Sequence, residues 1–244
     1  RLRDTLTERK YEDSSINQTL KLLSSVFNWG QRYGLGLVRN PLSLVERMPE
    51  RSSPGHYSIR EIECIVAHHA CSPLMATAIY TGMRKGEMYG LRWPAISFDE
   101  SYIKVERSYA SSTKSGESRL IPIHSELLPY LYRWQKQCPV TPQQLVFPVL
   151  QRAGYGMGRS DDGAELVALL ASVGITACHR PWHAFRHTFA TLLCEAGASR
   201  DAIERLLGHT PSGNRMTAHY LHPSLAYLRR ELHKLTIQPA APIA

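Results

Sequence analysis

The chain has 244 residues, 43% of them hydrophobic, with a formal net charge of +8 and a pI near 9.4. That length buries one or two cores, and the basic balance favours a polyanionic partner without identifying one. No apolar run reaches the length of a membrane span and no signal peptide opens the chain. The five cysteines (Cys64, Cys71, Cys138, Cys178 and Cys194) form no Cys-x-x-Cys pair, which fits buried small hydrophobes in a reduced, cytosolic setting.

The chain begins at Arg1 rather than a methionine and is expected to be a piece of a longer protein. Ser15-Ile-Asn-Gln18 reads as a capping box, and Ile16, Leu20, Leu23 and Phe27 follow at helical spacing. Gly34 and Gly36 are expected to end that helix. Asn40-Pro41 marks a turn, and a short helical piece is expected over Leu42 to Arg47. Met48 to Gly55, rich in Pro and Ser, reads as a linker, so residues 1–50 and 56–244 are expected to form separate domains.

Ser58-Ile-Arg-Glu61 is a second capping box, for a helix to about Ala70, and a helix from Pro73 to Thr81 stops at Gly82. Tyr102 to Arg107 and Arg119 to Ile123 read as strands of a hairpin, with Lys114 in the polar tip between them. Helices are expected over roughly 125–137, 161–173, 183–196, 199–207 and 224–235, and the last six residues read as a loose tail. The fold class that follows is mainly α with a small antiparallel β-sheet, an α+β arrangement.

The segment from His183 to Tyr220 concentrates the chemistry. His183, Arg186 and His187 share a helix face, Leu207-Gly208-His209 displays another imidazole, and Tyr220 adds a phenol. Such a set can hold a phosphate, protonate it and attack it, which in a basic protein points to phosphoryl transfer on nucleic acid. Upstream, Arg84 follows Gly82 near a helix start, where its fork can meet a phosphate; the plainer reading is a surface arginine beside Glu87. Lys114 is either a solvated loop lysine or a proton donor. His179, His183 and His187 repeat every four residues, as a metal-binding face would, but no glutamate completes His-Glu-x-x-His and Pro181 interrupts the repeat. The sequence carries no Walker-type glycine loop and no carboxylate cluster for magnesium, so neither nucleotide nor metal cofactor is expected.

Taken together, these pieces resemble the tyrosine recombinases, the phage-integrase family of site-specific DNA recombinases. Thr81-Gly-Met-Arg84-Lys-Gly-Glu87-Met-Tyr-Gly-Leu-Arg-Trp93 looks like the first arginine box, and Thr113-Lys114-Ser-Gly-Glu-Ser-Arg119-Leu-Ile-Pro122 like the lysine hairpin. His183-Ala-Phe-Arg186 looks like the His-x-x-Arg box. Leu207-Gly-His209 and Tyr220-Leu-His222 look like the closing histidine and the nucleophile, with a longer gap between them than the family pattern. The resemblance covers roughly residues 58 to 235, and residues 14 to 47 look like the end of the family's helical core-binding domain.

The resemblance implies that Tyr220 attacks a scissile phosphate to form a 3′-phosphotyrosine, while Arg84 and Arg186 hold the non-bridging oxygens. His183 and His209 would assist proton transfer, Lys114 would protonate the leaving 5′ oxygen, and His187 and Glu87 would support the site. Tyr227 stands as a second, less suited nucleophile. The implied partners are double-stranded recombination sites, a homotetramer on DNA and accessory DNA-bending proteins, with no membrane. The implied setting is the cytoplasm of a bacterium, the protein being bacterial or phage-encoded and nucleoid-associated. A type IB topoisomerase-like enzyme and a catalytically silent DNA-binding regulator are the competing readings, with a metal-dependent hydrolase third.

Overall fold

A computed structural model describes residues 2–35, 39–49, 55–109, 118–158, 160, 162–208 and 224–238. The chain divides into two units, Arg1–Ser53 and Pro54–Ala244.

In the first unit, α1 (Leu2–Glu8) precedes α2 (Asp13–Arg32); the sequence reading did not anticipate α1, which buries no residue. Helix α2 turns Ile16 and Leu20 inward. It starts before the expected capping box. Glu12 is the N-cap in extended conformation, Asp13 stands in the first turn where the helix dipole favours a carboxylate, and Ser15 is already inside the helix. Gly34 ends α2 at φ +68°, where the Leu35 N–H reaches back 3.0 Å to the Gly30 carbonyl; Gly36 lies outside the described residues.

The helix expected over 42–47 is absent: a turn covers 41–44 and the chain then runs without helix. Two asparagines explain the difference. Asn40 accepts from the Leu42 N–H at 2.8 Å and donates to Asn28 Oδ1 at 2.7 Å and Ser24 Oγ at 2.9 Å, so its side chain makes a turn tied to α2. Asn17 donates to the Met48 carbonyl at 2.9 Å and accepts from the Met48 N–H at 2.8 Å. That side chain satisfies both backbone groups of Met48 without a helix.

In the second unit, Ser58 and Glu61 form the expected capping box for α3 (Ile59–Ala67). Helix α4 (Pro73–Thr81) has proline in its first turn and Gly82 as a left-handed C-cap, and its residues from Met75 onward are all buried. Such all-round burial marks α4 as the centre of the core. It packs against α6 (Leu128–Gln137) and, more extensively, α8 (Pro181–Glu195). Helix α5 (Lys85–Tyr89) follows Gly82 almost at once.

A three-stranded antiparallel sheet runs β1 (Ile96–Ser97), β2 (Tyr102–Val105), β3 (Arg119–Pro122). Its register pairs Ile103 with Ile121 and Val105 with Arg119, so one face is buried and apolar except for the Arg119 guanidinium. A second hairpin, β4 (Val149–Gln151) with β5 (Gly154–Gly156), went unread in the sequence because its strands are too short to show alternation. Helix α7 (Gly163–Ser172) covers α8, and α9 (Arg200–Leu207) and α10 (Leu225–Leu232) close the unit, with α10 against β3 and α9. The outcome is a mainly helical α+β fold, as expected.

Candidate active site

Helix α8 brings the central groups together because its two faces differ. Phe185, Phe189, Leu192 and Leu193 face the core, and Arg186, three residues after His183, is drawn in with them to 5% exposure. A buried guanidinium needs partners. Arg186 donates through Nη1 to the Gly82 carbonyl at 2.8 Å and through Nη2 to the Leu207 carbonyl at 2.5 Å. Both acceptors sit at helix C-termini, of α4 and α9, where the dipole is negative. Gly82 has a second reason to be glycine: a Cβ there would lie 2.5 Å from the Phe189 ring.

Arg84 caps α5, with its backbone N–H on Glu87 Oε2 at 3.0 Å and its Nη1 on Glu87 Oε1 at 2.8 Å. Arg119 reaches the same carboxylate from β3 with two parallel bonds, Nη1 to Oε1 at 3.1 Å and Nη2 to Oε2 at 2.7 Å. Its Nε donates to the Leu206 carbonyl at 2.9 Å. Burial alone would raise the Glu87 pKa, but the bonds and charge of Arg119, then Arg84, bring it down to about 2. The Arg186 pKa is lowered as well, to about 9, first through burial and then through the charge of Arg84; it stays cationic near neutrality. Two guanidiniums therefore share the Glu87 carboxylate and a third, Arg186, lies near enough to feel its charge, so among the described residues the surplus is positive. Arg84 is the outward member, its side chain about a third exposed.

His183 and His187 lie on the same stretch of α8, with ring centroids 4.6 Å apart and edge to face. Burial depresses both pKa values, with the neighbouring charge of Arg186 adding to each and His187 also acting on His183. Both imidazoles are thus biased to the neutral form. His179 precedes α8, whose first residue is Pro181, so the three histidines do not form one helix face.

Of the residues named from the sequence, the structure gathers Arg84, His183 and Arg186, with Glu87 and His187 beside them. Lys114, His209 and Tyr220 lie outside the described residues, as does the Pro211–Asn214 stretch. Tyr227 is committed elsewhere: its hydroxyl bonds Ser199 Oγ, and Arg230 stacks 5.3 Å from its ring. The sequence reading missed Arg119 as a site residue. The signal was available in the strand pattern, since Arg119 shares a face with Ile121 and Ile123, and a charge on a buried strand face requires a partner.

The sequence profile of the phage integrase family matches residues 57–226. Among curated relatives, a XerC-like tyrosine recombinase of Caldanaerobacter subterraneus subsp. tengcongensis is 26% identical over 82% of this chain and 61% of its own length. XerD of Lacticaseibacillus casei is 27% identical over 91% of this chain and 76% of its own. The chain thus spans about three-fifths of the first relative. Among solved structures, the Tn1549 transposon integrase in complex with a circular intermediate DNA superposes with a TM-score of 0.72 at 20% identity, over 96% of this chain and 83% of that one. At that identity the likeness is one of fold. The family profile spans the arginine cluster and most of the second unit, and on that ground the chain belongs to the phage integrase family.

Proposed function

We propose that this protein is a site-specific DNA recombinase that cuts and rejoins strands through a covalent 3′-phosphotyrosine. The observation that carries the reading is the surplus of cation around Glu87. Arg84, held by Glu87 and partly exposed, stands with Arg186 and the neutral His183 where a phosphate diester would compensate the charge. Guanidiniums fixed in advance stabilise the negative charge that grows on the non-bridging oxygens during attack, and they need not reorganise to do so. Neutral imidazoles next to them can accept or relay a proton.

Tyr220 is assigned as nucleophile, His209 as a second phosphate-contacting imidazole and Lys114 as the donor to the leaving 5′ oxygen. Their support is the order and spacing of the family's motifs in this sequence. The phenol, with an ordinary pKa of about 10, needs the cationic field to form its oxyanion. A covalent link retains the energy of the broken bond, so a second DNA end can reverse the step without nucleotide hydrolysis.

Residues 1–50 are assigned to the end of a helical core-binding domain and 56–244 to the catalytic domain. Double-stranded DNA is the substrate, in keeping with the DNA complex of the Tn1549 integrase, and a tetramer is the working assembly on paired sites, with accessory DNA-bending proteins.

The test is a nicked suicide DNA carrying a recombination site. The wild-type chain is expected to give a protein–DNA adduct resistant to denaturation, and Tyr220→Phe to bind DNA without forming it. An adduct with Tyr220→Phe refutes the nucleophile. Relaxation of a supercoiled plasmid lacking such sites, with no strand exchange on plasmids that carry them, refutes the recombinase in favour of a topoisomerase-like enzyme.

A further inference from the structure

We propose that Arg119 is a positioning residue of the site: it holds Glu87, and through Glu87 Arg84, in fixed relation to the C-terminal end of α9. The inference rests on the recombinase reading above.

The strand itself is built for this task. On β3 the usual alternation is inverted, because Leu120 is 37% exposed while Arg119 turns inward on the face of Ile121. Its side chain is only 12% exposed. Each nitrogen of the guanidinium group is engaged, two on the Glu87 oxygens and Nε on the Leu206 carbonyl. Three of its five N–H donors are thus committed inward, whereas Arg84 keeps part of its side chain turned to solvent. The output of Arg119 is the orientation of Glu87, whose two oxygens also receive the Arg84 side chain and backbone.

Gly208 supplies the other half. It ends α9 in the left-handed region at φ +65°, and a Cβ there would lie 2.7 Å from Arg119 Nη1 and 3.0 Å from its Cζ and Cδ. The guanidinium is packed on the backbone that terminates α9. Arg186 holds the adjacent carbonyl, of Leu207. Two arginines thus fix the last turn of α9, one of them sharing Glu87 with Arg84. The chain continues from Gly208 directly into His209. A lysine cannot reproduce the arrangement, since one ammonium on a flexible stem does not offer a planar fork plus a separate Nε donor.

The experiment is single-turnover cleavage of the suicide DNA at saturating concentration, across pH, for the wild type, Tyr220→Phe, Arg119→Met and Arg119→Lys. Thermal melting is followed in parallel. For Arg119→Met, the maximal rate is expected to fall on the order of 100-fold, the loss typical of a misplaced reacting group, with half-saturation by DNA unchanged. The acid limb of its rate profile is expected to move to higher pH. Among the described residues, Glu87 would then face only Arg84, at the N-cap of α5, and Arg186 from α8, and burial would lift its carboxyl. Arg119→Lys is expected to keep the limb near its wild-type position while recovering only part of the rate.

Rates within about threefold of wild type for folded Arg119 variants overturn the proposal, being far from the loss expected of misplacement. A slower Arg119→Met with an unmoved acid limb also overturns it, because that is what a merely structural role would give. If Arg119→Met does not fold, Arg119→Lys decides by its maximal rate. Absence of adduct in the wild type overturns this inference together with the recombinase reading, whereas a wild-type adduct with unimpaired Arg119 variants overturns this inference alone.

Discussion

Arg84 and Lys85 are neighbours in sequence, and each meets a buried carboxylate, yet the two clusters they enter are opposites. Arg84 joins Glu87, which is 4% exposed and shared with Arg119, with Arg186 close enough to feel the charge. Lys85 joins Asp162, 7% exposed, which also takes the Tyr89 hydroxyl, while the Lys85 ammonium donates to the Ser160 carbonyl and lies 5.3 Å from the Trp182 ring. Among the described residues, the first cluster has more cations than anions and one arginine turned outward, whereas the second pairs the Lys85 ammonium with the Asp162 carboxylate and closes them with aromatic rings. An unbalanced charge can recruit an anion, whereas a balanced one only holds elements together.

The largest separation between the clusters lies in activity. Arg84→Ala is expected to lower the single-turnover rate of adduct formation on the order of 100- to 1,000-fold, as for removal of one preorganised donor, with little change in stability because the side chain is partly solvated. Arg186→Ala is expected to cost at least as much rate and also on the order of 2–4 kcal/mol of stability, since two helix-end carbonyls lose their buried donor. Adduct assays paired with urea unfolding check both. Equal stability losses for the two variants would remove the distinction between an outward and an inward arginine.

Acid should break the arginine cluster in a defined window. The folded Glu87 carboxyl titrates at about 2, below its unfolded value of about 4.3, so the unfolded chain binds the proton first. The resulting stabilisation is present above the unfolded pKa and is lost as pH falls from there towards 2. Its size is on the order of 3 kcal/mol from the usual conversion of pKa difference to free energy. Urea unfolding at pH 6, 4 and 3 is expected to show this loss in the wild type and its absence in Glu87→Gln. A parallel decline of the two chains would place the acid sensitivity elsewhere.

The contrast also explains what could be read from the sequence. Gly82 after an apolar helix, the Ser58–Glu61 box and the His183–Arg186 spacing are local, since each is set within one turn of helix, and each stands where expected. The Arg84–Glu87 contact is local too, at three residues. The bonds that make the site a cluster span far more chain: Arg119 to Glu87 across 32 positions and Arg186 to Gly82 across 104. No periodicity reports such a meeting, although the inward strand position of Arg119 hinted at it. Asp162 was still less legible, because a carboxylate just before a helix reads as a cap, and here no side-chain cap bond forms and the carboxylate turns to Lys85 and Tyr89. In the first unit the same limit misplaced the helix over 42–47, where Asn17 acts across 31 residues.

The smallest expected effect tests the balanced cluster. Lys85→Met keeps much of the aliphatic stem over Trp182 but removes the ammonium, leaving Asp162 charged, buried and dependent on Tyr89. Losing one partner of such a pair costs more than the pair contributed, because the remaining charge is not resolvated. A stability loss of about 1–3 kcal/mol is expected. Adding Asp162→Asn removes the stranded charge while an amide can still accept from Tyr89, so the double variant should recover part of that loss. Adduct formation per folded molecule should be unchanged in both, because neither side chain bonds Glu87, Arg84 or Arg186. A double-mutant cycle in urea with a parallel adduct assay measures both quantities. Recovery of stability with a slowed adduct would show that the two clusters are coupled through α5, whose first residue is Lys85 and whose third is Glu87, and the separation drawn between them would fail.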